Sequence, residues 1–260
     1  MKIQVLVAAM NQTDHSLLEH MNIKSDAIIG NQCAYNNVEH FEWNGHDITY
    51  LNFAEKGVGL NRNNALMRAE AEVCLFADDD MRYSDNYIEL LEKSFRTLPN
   101  ADVIIFNLKE DTPKRSIIKH IHKVNKFNYL RYGTARIAIR LKSIRDNGIY
   151  FNQNFGGGTI HSHGEDNIFL ADCLKNKLKI YAVPYYIAEL RDNRSSSWNK
   201  GYDTKYLIDQ GVLYKKISKV HWRVLCLQDS IRHYKRYNMS PFKAYQYMIG
   251  KKKDEASFKW

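Results

Sequence analysis

The first hundred residues alternate short, wholly apolar runs with stretches in which apolar positions recur every three or four residues. Runs at 2–9, 26–30 ("DAIIG"), 48–53 ("ITYLNF"), 73–77 ("VCLFA") and 102–106 ("DVIIF") have strand length and predict five strands. Between them, 14–21, 59–71 and 85–97 carry a helical period. In the last, Ser84 is the expected N-cap, and Tyr87, Ile88, Leu91 and Phe95 form the apolar face. Strands alternating with helices predict an α/β fold, a mostly parallel sheet covered by helices on both faces. Ligands of such sheets collect at the carboxyl ends of the strands.

The pattern loosens after residue 108. The basic, polar stretch 109–128 predicts a loop or a short helix. "TARIAIRL" reads as a strand, "FNQNFGGGTIHSHGED" as an irregular loop, and "EDNIFLADCLKNK" as an amphipathic helix. "LKIYAVP" is a further strand, closed by Pro184. From about residue 203 the period is helical, with breaks expected near Gly211, Pro241 and Gly250. The expected division is an α/β domain over 1–211 and a helical extension over 212–260.

Composition narrows the class. A chain of 260 residues, 44% of them hydrophobic, is within reach of one core. Its longest apolar runs fall far short of the roughly 18 residues of a membrane span. Gln4 interrupts the first run and no small-residue cleavage site follows, so the N-terminus predicts a strand rather than a signal peptide. Cys33, Cys74, Cys173 and Cys226 are far apart and without metal-site spacing, as expected of a reduced, cytoplasmic protein. Residues 212–260 hold 12 Lys+Arg against 3 Asp+Glu, a net of +9 equal to that of the whole chain. Residues 1–211 are therefore balanced, and the basic character belongs to the tail.

Candidate chemistry concentrates in "EKGVGLNRNNALMRAEAEVCLFADDDMRY", residues 55–83. A buried-strand pattern there delivers Asp78, Asp79 and Asp80 to a sheet edge. Side chains alternate along an extended segment, so Asp78 and Asp80 share a side and Asp79 faces away. A carboxylate pair on a strand end suits Mg²⁺ or Mn²⁺, hard cations that take oxygen ligands and keep room for substrate phosphates. Upstream, Gly57 and Gly59 permit close backbone approach, and Arg62 and Asn63 follow at a helix start, where free N–H groups favour an anion. Together these features point to a nucleotide diphosphate. The blander alternatives are a solvated acidic loop and an ordinary turn.

"GVGLNRNNALMRAEAEVCLFADDDM" resembles the Gly-x-x-x-Arg-Asn segment and DxD motif of family 2 glycosyltransferases of the GT-A fold. "FGGGTIHSHGEDNIFLADCLKNKLKIYAVP" is similar to their Gly-Glu-Asp motif and following helix, and "SSSWNKGYDTKY" to a segment found after the last strands of bacterial members. The resemblance spans roughly residues 1–215 in the right order. It implies inverting, metal-dependent sugar transfer, with Asp78 and Asp80 on the Mn²⁺ or Mg²⁺ and Asp166 as catalytic base. It further implies a nucleotide-sugar site taking in Asn11, Asn31, Lys56, Gly59, Arg62, Asn63, Asp78, Asp79 and Arg194, and an acceptor side with Gly158, Gly164 and Glu165. The expected donor is a UDP-sugar. The expected acceptor is a glycan or lipid-linked hydroxyl in bacterial surface polysaccharide synthesis. Where many members carry an aspartate after the second strand, this chain has "IIGNQCAYNN", with Asn31 or Gln32 as alternative base contacts.

Glu165 and Asp166 fall in a helix first turn, where the dipole stabilises acids even without a catalytic role. Burial and a neighbouring anionic donor are expected to raise Asp166 enough for it to accept a proton. His161 and His163 alternate beside the triple glycine, as substrate contacts, exposed residues or a third metal ligand. Arg191, Arg194 and Trp198 compose a segment suited to a lid over the diphosphate.

The tail mixes Lys and Arg with Trp, Tyr and Phe. It reads as a membrane-surface helix pair, which would place the protein at the inner face of the cell membrane, or as a helical cap with a solvated basic face. A nucleic-acid module on this tail and a metal-dependent nucleotidyltransferase are the rival readings. The charge balance of 1–211 argues against the first, and the second leaves "GED" without a purpose. No nucleic-acid partner is expected.

Overall fold

In the computed structural model, residues 1–110, 115–190 and 201–252 are described. The five early strands are present: β1 (Ile3–Met10), β2 (Asp26–Gln32), β4 (His46–Phe53), β5 (Val73–Asp78) and β7 (Val103–Lys109). They join β3 (Asn37–Trp43), β6 (Met81–Tyr83), β8 (His122–Val124), β9 (Ile137–Arg140) and β10 (Ile180–Leu190) in one sheet of order β3-β4-β2-β1-β5-β9-β7-β10-β6, with β8 paired to β10. β4, β2, β1, β5, β7 and β10 run in one direction, and the other four strands oppose them. This is the expected mostly parallel α/β architecture.

Alternation along each strand feeds two cores. Val5 and Val7 of β1 pack on one face with Tyr87, Leu91 and Phe95 of α3 (Tyr87–Thr97), and near them α1 (Leu17–His20) buries Leu17 and Leu18. Leu6 faces the other side, where α2 (Val58–Arg68), α4 (Leu141–Asp146) and α5 (Glu165–Lys175) bury Leu66, Ile144 and Phe169. The expected N-cap Ser84 is instead two residues upstream of the cap, Asn86.

Three details differ from the sequence reading. The hairpin β3–β4 was not expected, although its signal is present: alternation over "VEHFEW" runs into Asn44-Gly45, both at positive φ (50° and 80°), as a tight hairpin turn requires. Pro184 does not end its strand. β10 continues to Leu190, and the ladder to β7 shifts register between Ala182 and Tyr186, where the missing proline N–H is absorbed. Finally, α6 (Thr204–Ile217) passes through Gly211 unbroken and so crosses the expected boundary at 211/212. That glycine lets the backbone of Met248 approach, for a Cβ there would lie 1.7 Å from the Met248 carbonyl oxygen.

α6, α7 (Trp222–Tyr237) and α8 (Pro241–Met248) form a third core around Leu207, Tyr214, Cys226 and Tyr247. At its centre the buried Asp229 accepts hydrogen bonds from the Tyr214 and Tyr237 hydroxyls, each at 2.8 Å. Leu213 of α6 packs on Phe155 and Ile168, which seats the helical unit against α5.

Candidate functional site

The carboxyl end of β5 is joined to the first turn of α5 through Arg62, and the acidic motifs meet there. Asp78 is the last residue of β5. Asp79 turns back toward β1: its Oδ2 accepts from the Met10 backbone N–H at 3.4 Å and from Gln12 Nε2 at 3.2 Å. Asp79 and Asp80 form a turn beyond the strand rather than the extended segment on which the expected alternation is based, and Asp79 lies on the β1 side.

The positive partner of the triplet is Arg62. Its guanidinium, only 5% exposed, donates from Nη2 to Asp78 Oδ1 at 2.6 Å and from Nη1 to Glu165 Oε1 at 2.9 Å. Burial works against its charge, but Asp78 and Glu165 outweigh burial and hold its pKa above the ordinary value. One side chain from α2 thus joins the end of β5 to the start of α5. A charge pair this deep is costly to break, at about 3–5 kcal/mol, because the partner left behind stays buried.

Asp166 follows, and its Oδ1 accepts from the Asn167 backbone N–H at 2.7 Å. Burial first, then the charge of Glu165, push its carboxyl up to about 7, with Asp78 adding to the rise and Arg62 opposing it. A carboxyl in that range is ionised often enough at neutral pH to act as a base and basic enough to take a proton. Asp80 keeps solvent access, yet crowding by the protein and the charges of Asp78 and Asp79 raise its carboxyl to about 6. Solvent screening tempers that rise.

The donor set fits a divalent cation in a restricted sense. Among the described residues, no three His, Cys, Asp or Glu side chains converge as a complete cage. Asp78 and Asp80 supply two neighbouring carboxylates at the end of β5 and in the turn after it, and Mg²⁺ or Mn²⁺ is commonly held by one or two carboxylates together with substrate phosphates.

Several expected nucleotide contacts have structural partners within the chain. Asn31 is fully buried, its Oδ1 accepting from Gln12 N (2.9 Å) and its Nδ2 donating to Gln12 O (2.9 Å) and Asn52 Oδ1 (2.7 Å). It shapes the loop after β1, which includes Asn11 at φ 52°. Asn63 brackets the Phe151 backbone, donating to its carbonyl at 2.9 Å and accepting from its N–H at 2.8 Å. Gly59 packs on the Asn152 carbonyl, 2.8 Å from where its Cβ would sit. Two N–H groups at the start of α2 are already bonded: Gly57 N donates to Gln32 Oε1 (2.8 Å) and Val58 N to the Gly157 carbonyl (3.0 Å).

The two glycine-rich segments consequently interlock. Gly57 (φ 120°) and Gly158 (φ 81°) lie backbone to backbone, and a Cβ on Gly158 would stand 3.2 Å from Gly57 N and 3.3 Å from Lys56 Cγ. Gly164 caps α5 against Leu213. His161 and His163 face α6: His161 Nδ1 is 2.9 Å from Asp209 Oδ1, and His163 Nε2 is 2.7 Å from Gln210 Oε1 with its ring stacked on Tyr206. Both tie the loop to α6 and stand outside the carboxylate cluster. Arg191, Arg194 and Trp198 lie outside the described residues.

Sequence reasoning overlooked Gln12 and Asp209. Asp209 is nearly fully buried and also accepts from Ser162 N at 2.9 Å, pinning the loop before Glu165. Neither carried a local motif, because their partners are distant in the chain.

Residues 32–155 match the family model described as glycosyl transferase family 2. That stretch includes Arg62 and Asp78–Asp80 and ends before Glu165 and Asp166. Among solved structures, S. aureus TarS 1–349 in complex with UDP-GlcNAc is similar over 96% of this chain and 76% of its own, with 16% identity and a TM-score of 0.65. TarS 1–349 in complex with UDP matches over 90% of this chain and 72% of its own, at 16% identity and a TM-score of 0.62. The longer TarS chain is covered over 44% of its length, at 17% identity and a TM-score of 0.60. These likenesses show the GT-A fold. No curated protein matches the chain by sequence.

Proposed function

Because residues 32–155 match glycosyl transferase family 2 and the chain has the GT-A fold, we propose that it transfers a sugar, with inversion, from a nucleotide-diphosphate donor to a hydroxyl. The observation that carries this reading is the bridge through Arg62, which sets Asp166 beside the DxD strand end. UDP is the proposed nucleotide, since the structural neighbours were crystallised with UDP-GlcNAc and UDP.

In the proposed reaction Asp166 accepts the proton of the acceptor hydroxyl as its oxygen attacks the anomeric carbon opposite the diphosphate. Glu165, held by Arg62, keeps the α5 first turn oriented and its charge raises the basicity of Asp166. Asp78 and Asp80 would hold Mn²⁺ or Mg²⁺, which when bound neutralises charge on the departing phosphate, typically worth several kcal/mol. Attack and departure occur on opposite faces, so no covalent enzyme intermediate is required. The acceptor is proposed to be a glycan or lipid-linked hydroxyl in surface polysaccharide synthesis.

The tail supports a membrane-surface role. Val220, Val224, Leu227, Ile231 and Tyr234 form an exposed apolar stripe along and just before α7, flanked by exposed Arg223, Arg232 and Lys235. Apolar insertion beside cationic side chains suits an anionic bilayer. Among the described residues no helix is long and apolar enough to cross a membrane.

A thermal-shift panel of UDP-sugars with and without Mn²⁺ tests the donor assignment. One UDP-sugar should stabilise the protein only with the metal, and Asp80→Asn should abolish that shift. Absence of any nucleotide-diphosphate binding under both conditions would remove the proposal. Proton NMR of the product reads the anomeric configuration.

A further inference from the structure

Arg136 is a buried cation, 2% exposed, without an ion-pair partner among the described residues, and Asp166 is an acid whose charge reaches it. Nη1 and Nη2 make long bonds of 3.4 and 3.2 Å to the carbonyls of Ser116 and Arg131, and Nε has no hydrogen-bond partner. Tyr132 stacks on the guanidinium, 5.1 Å from its carbon to the ring centre. Burial, then the charge of Arg115, draw its pKa down to about 10, so it stays cationic at neutral pH. A desolvated, incompletely satisfied guanidinium costs stability.

Its position is equally specific. Leu75 of β5 pairs with Ala138 of β9, and continuing that register brings residues 134–136 alongside the Asp78 end of β5. Gly133, at the start of the same turn, is packed on Asp166: a Cβ there would lie 3.4 Å from Asp166 Oδ2. On its other side Arg136 lines a cleft of about 310 Å³ with Lys109, Glu110, Arg115 and Tyr186. Glu110 is the acid of this group, and it is ion-paired with Arg115. A second cleft, about 410 Å³, shares Ser116 and Ile117 as walls and adds Lys119, Lys123 and Arg131. The two clefts adjoin through these shared walls, and their lining is cationic.

We propose that the acceptor is anionic, and that a phosphate or carboxylate next to its reactive hydroxyl is bound by Arg136 in the first cleft. The assignment rests on the reading of Asp166 as base, because Gly133, on the same turn as Arg136, packs against that carboxylate. A planar guanidinium with an unused N–H matches a phosphate or carboxylate oxygen pair better than an ammonium would. Lys109 and the second cleft supply further charge for an acceptor carrying more than one anion.

The test is calorimetric titration of the full chain with inorganic phosphate and, separately, with glucuronate. One or both should bind saturably, remain bound when UDP and Mn²⁺ are added, and lose at least tenfold in affinity in Arg136→Gln. The stronger of the two probes identifies the anion type. Should Arg136→Gln fail to fold, Lys109→Ala, an exposed change, is expected to weaken binding about threefold. No binding of either probe, displacement by UDP, or binding unchanged in these variants would overturn the inference. Failure of the donor assignment shows up separately, as missing UDP binding, and leaves the phosphate and glucuronate titrations interpretable.

Discussion

Arg62 and Glu165 are 103 positions apart in the chain and meet through an ion pair of 2.9 Å. The same guanidinium holds Asp78 at 2.6 Å, so a single buried side chain spans the two acidic motifs. Three consecutive aspartates at a strand end are tolerable because this cation lies under the first, the β1 loop bonds the second, and solvent reaches the third. The relationship makes α2 part of the site through a side chain.

Arg62→Ala should therefore cost both fold and function. Removing the cation leaves Glu165 poorly solvated and Asp78 unopposed, and a loss of about 3 kcal/mol in denaturant unfolding is expected. A change below about 1 kcal/mol would mean that the pair is screened like a surface bridge.

Asp166→Asn should lower transfer by about 10²–10⁴-fold while UDP affinity stays within about twofold. Retained turnover would assign the base elsewhere. The wild-type pH profile follows from the raised carboxyl: the base form is lost as pH falls through about 7, so activity drops on the acid side. The stability sign is opposite. A carboxyl raised in the folded state stabilises below its unfolded pKa and loses that contribution as pH rises through about 7. Unfolding free energy should then decline from about pH 4 to about pH 7 and level off above it, and Asp166→Asn should flatten this decline.

Asn63→Ala leaves the Phe151 N–H and carbonyl unpaired in a buried place. A loss of about 1–3 kcal/mol in stability is expected, with donor affinity little changed. Selective loss of UDP binding with full stability would return Asn63 to the nucleotide site.

Ile231→Glu and Leu227→Glu alter the exposed stripe of α7 without touching the core around Asp229. Cosedimentation with vesicles containing phosphatidylglycerol should fall several-fold at unchanged melting temperature. Equal binding by wild type and variants would leave the tail as a cap on the domain.

Much was readable locally. Apolar runs and their period located β1, β2, β4, β5 and β7, because a strand buried on both faces needs side chains that are apolar throughout. The order of "GLNRNN", "DDD" and "GED" suggested the glycosyl transferase family 2 model that residues 32–155 match and made Arg62, Asp78 and Asp166 candidates, since those motifs are contiguous. The limits came where a side chain's partner is remote. Asn31 and Asn63 look like ligand contacts in a string of letters, and their amides are consumed by Gln12 and Phe151. Gly211 looked like a break and is a contact with Met248. Arg136 had no motif at all, because its significance is a buried guanidinium without an ion pair among the described residues, and only packing defines what is near.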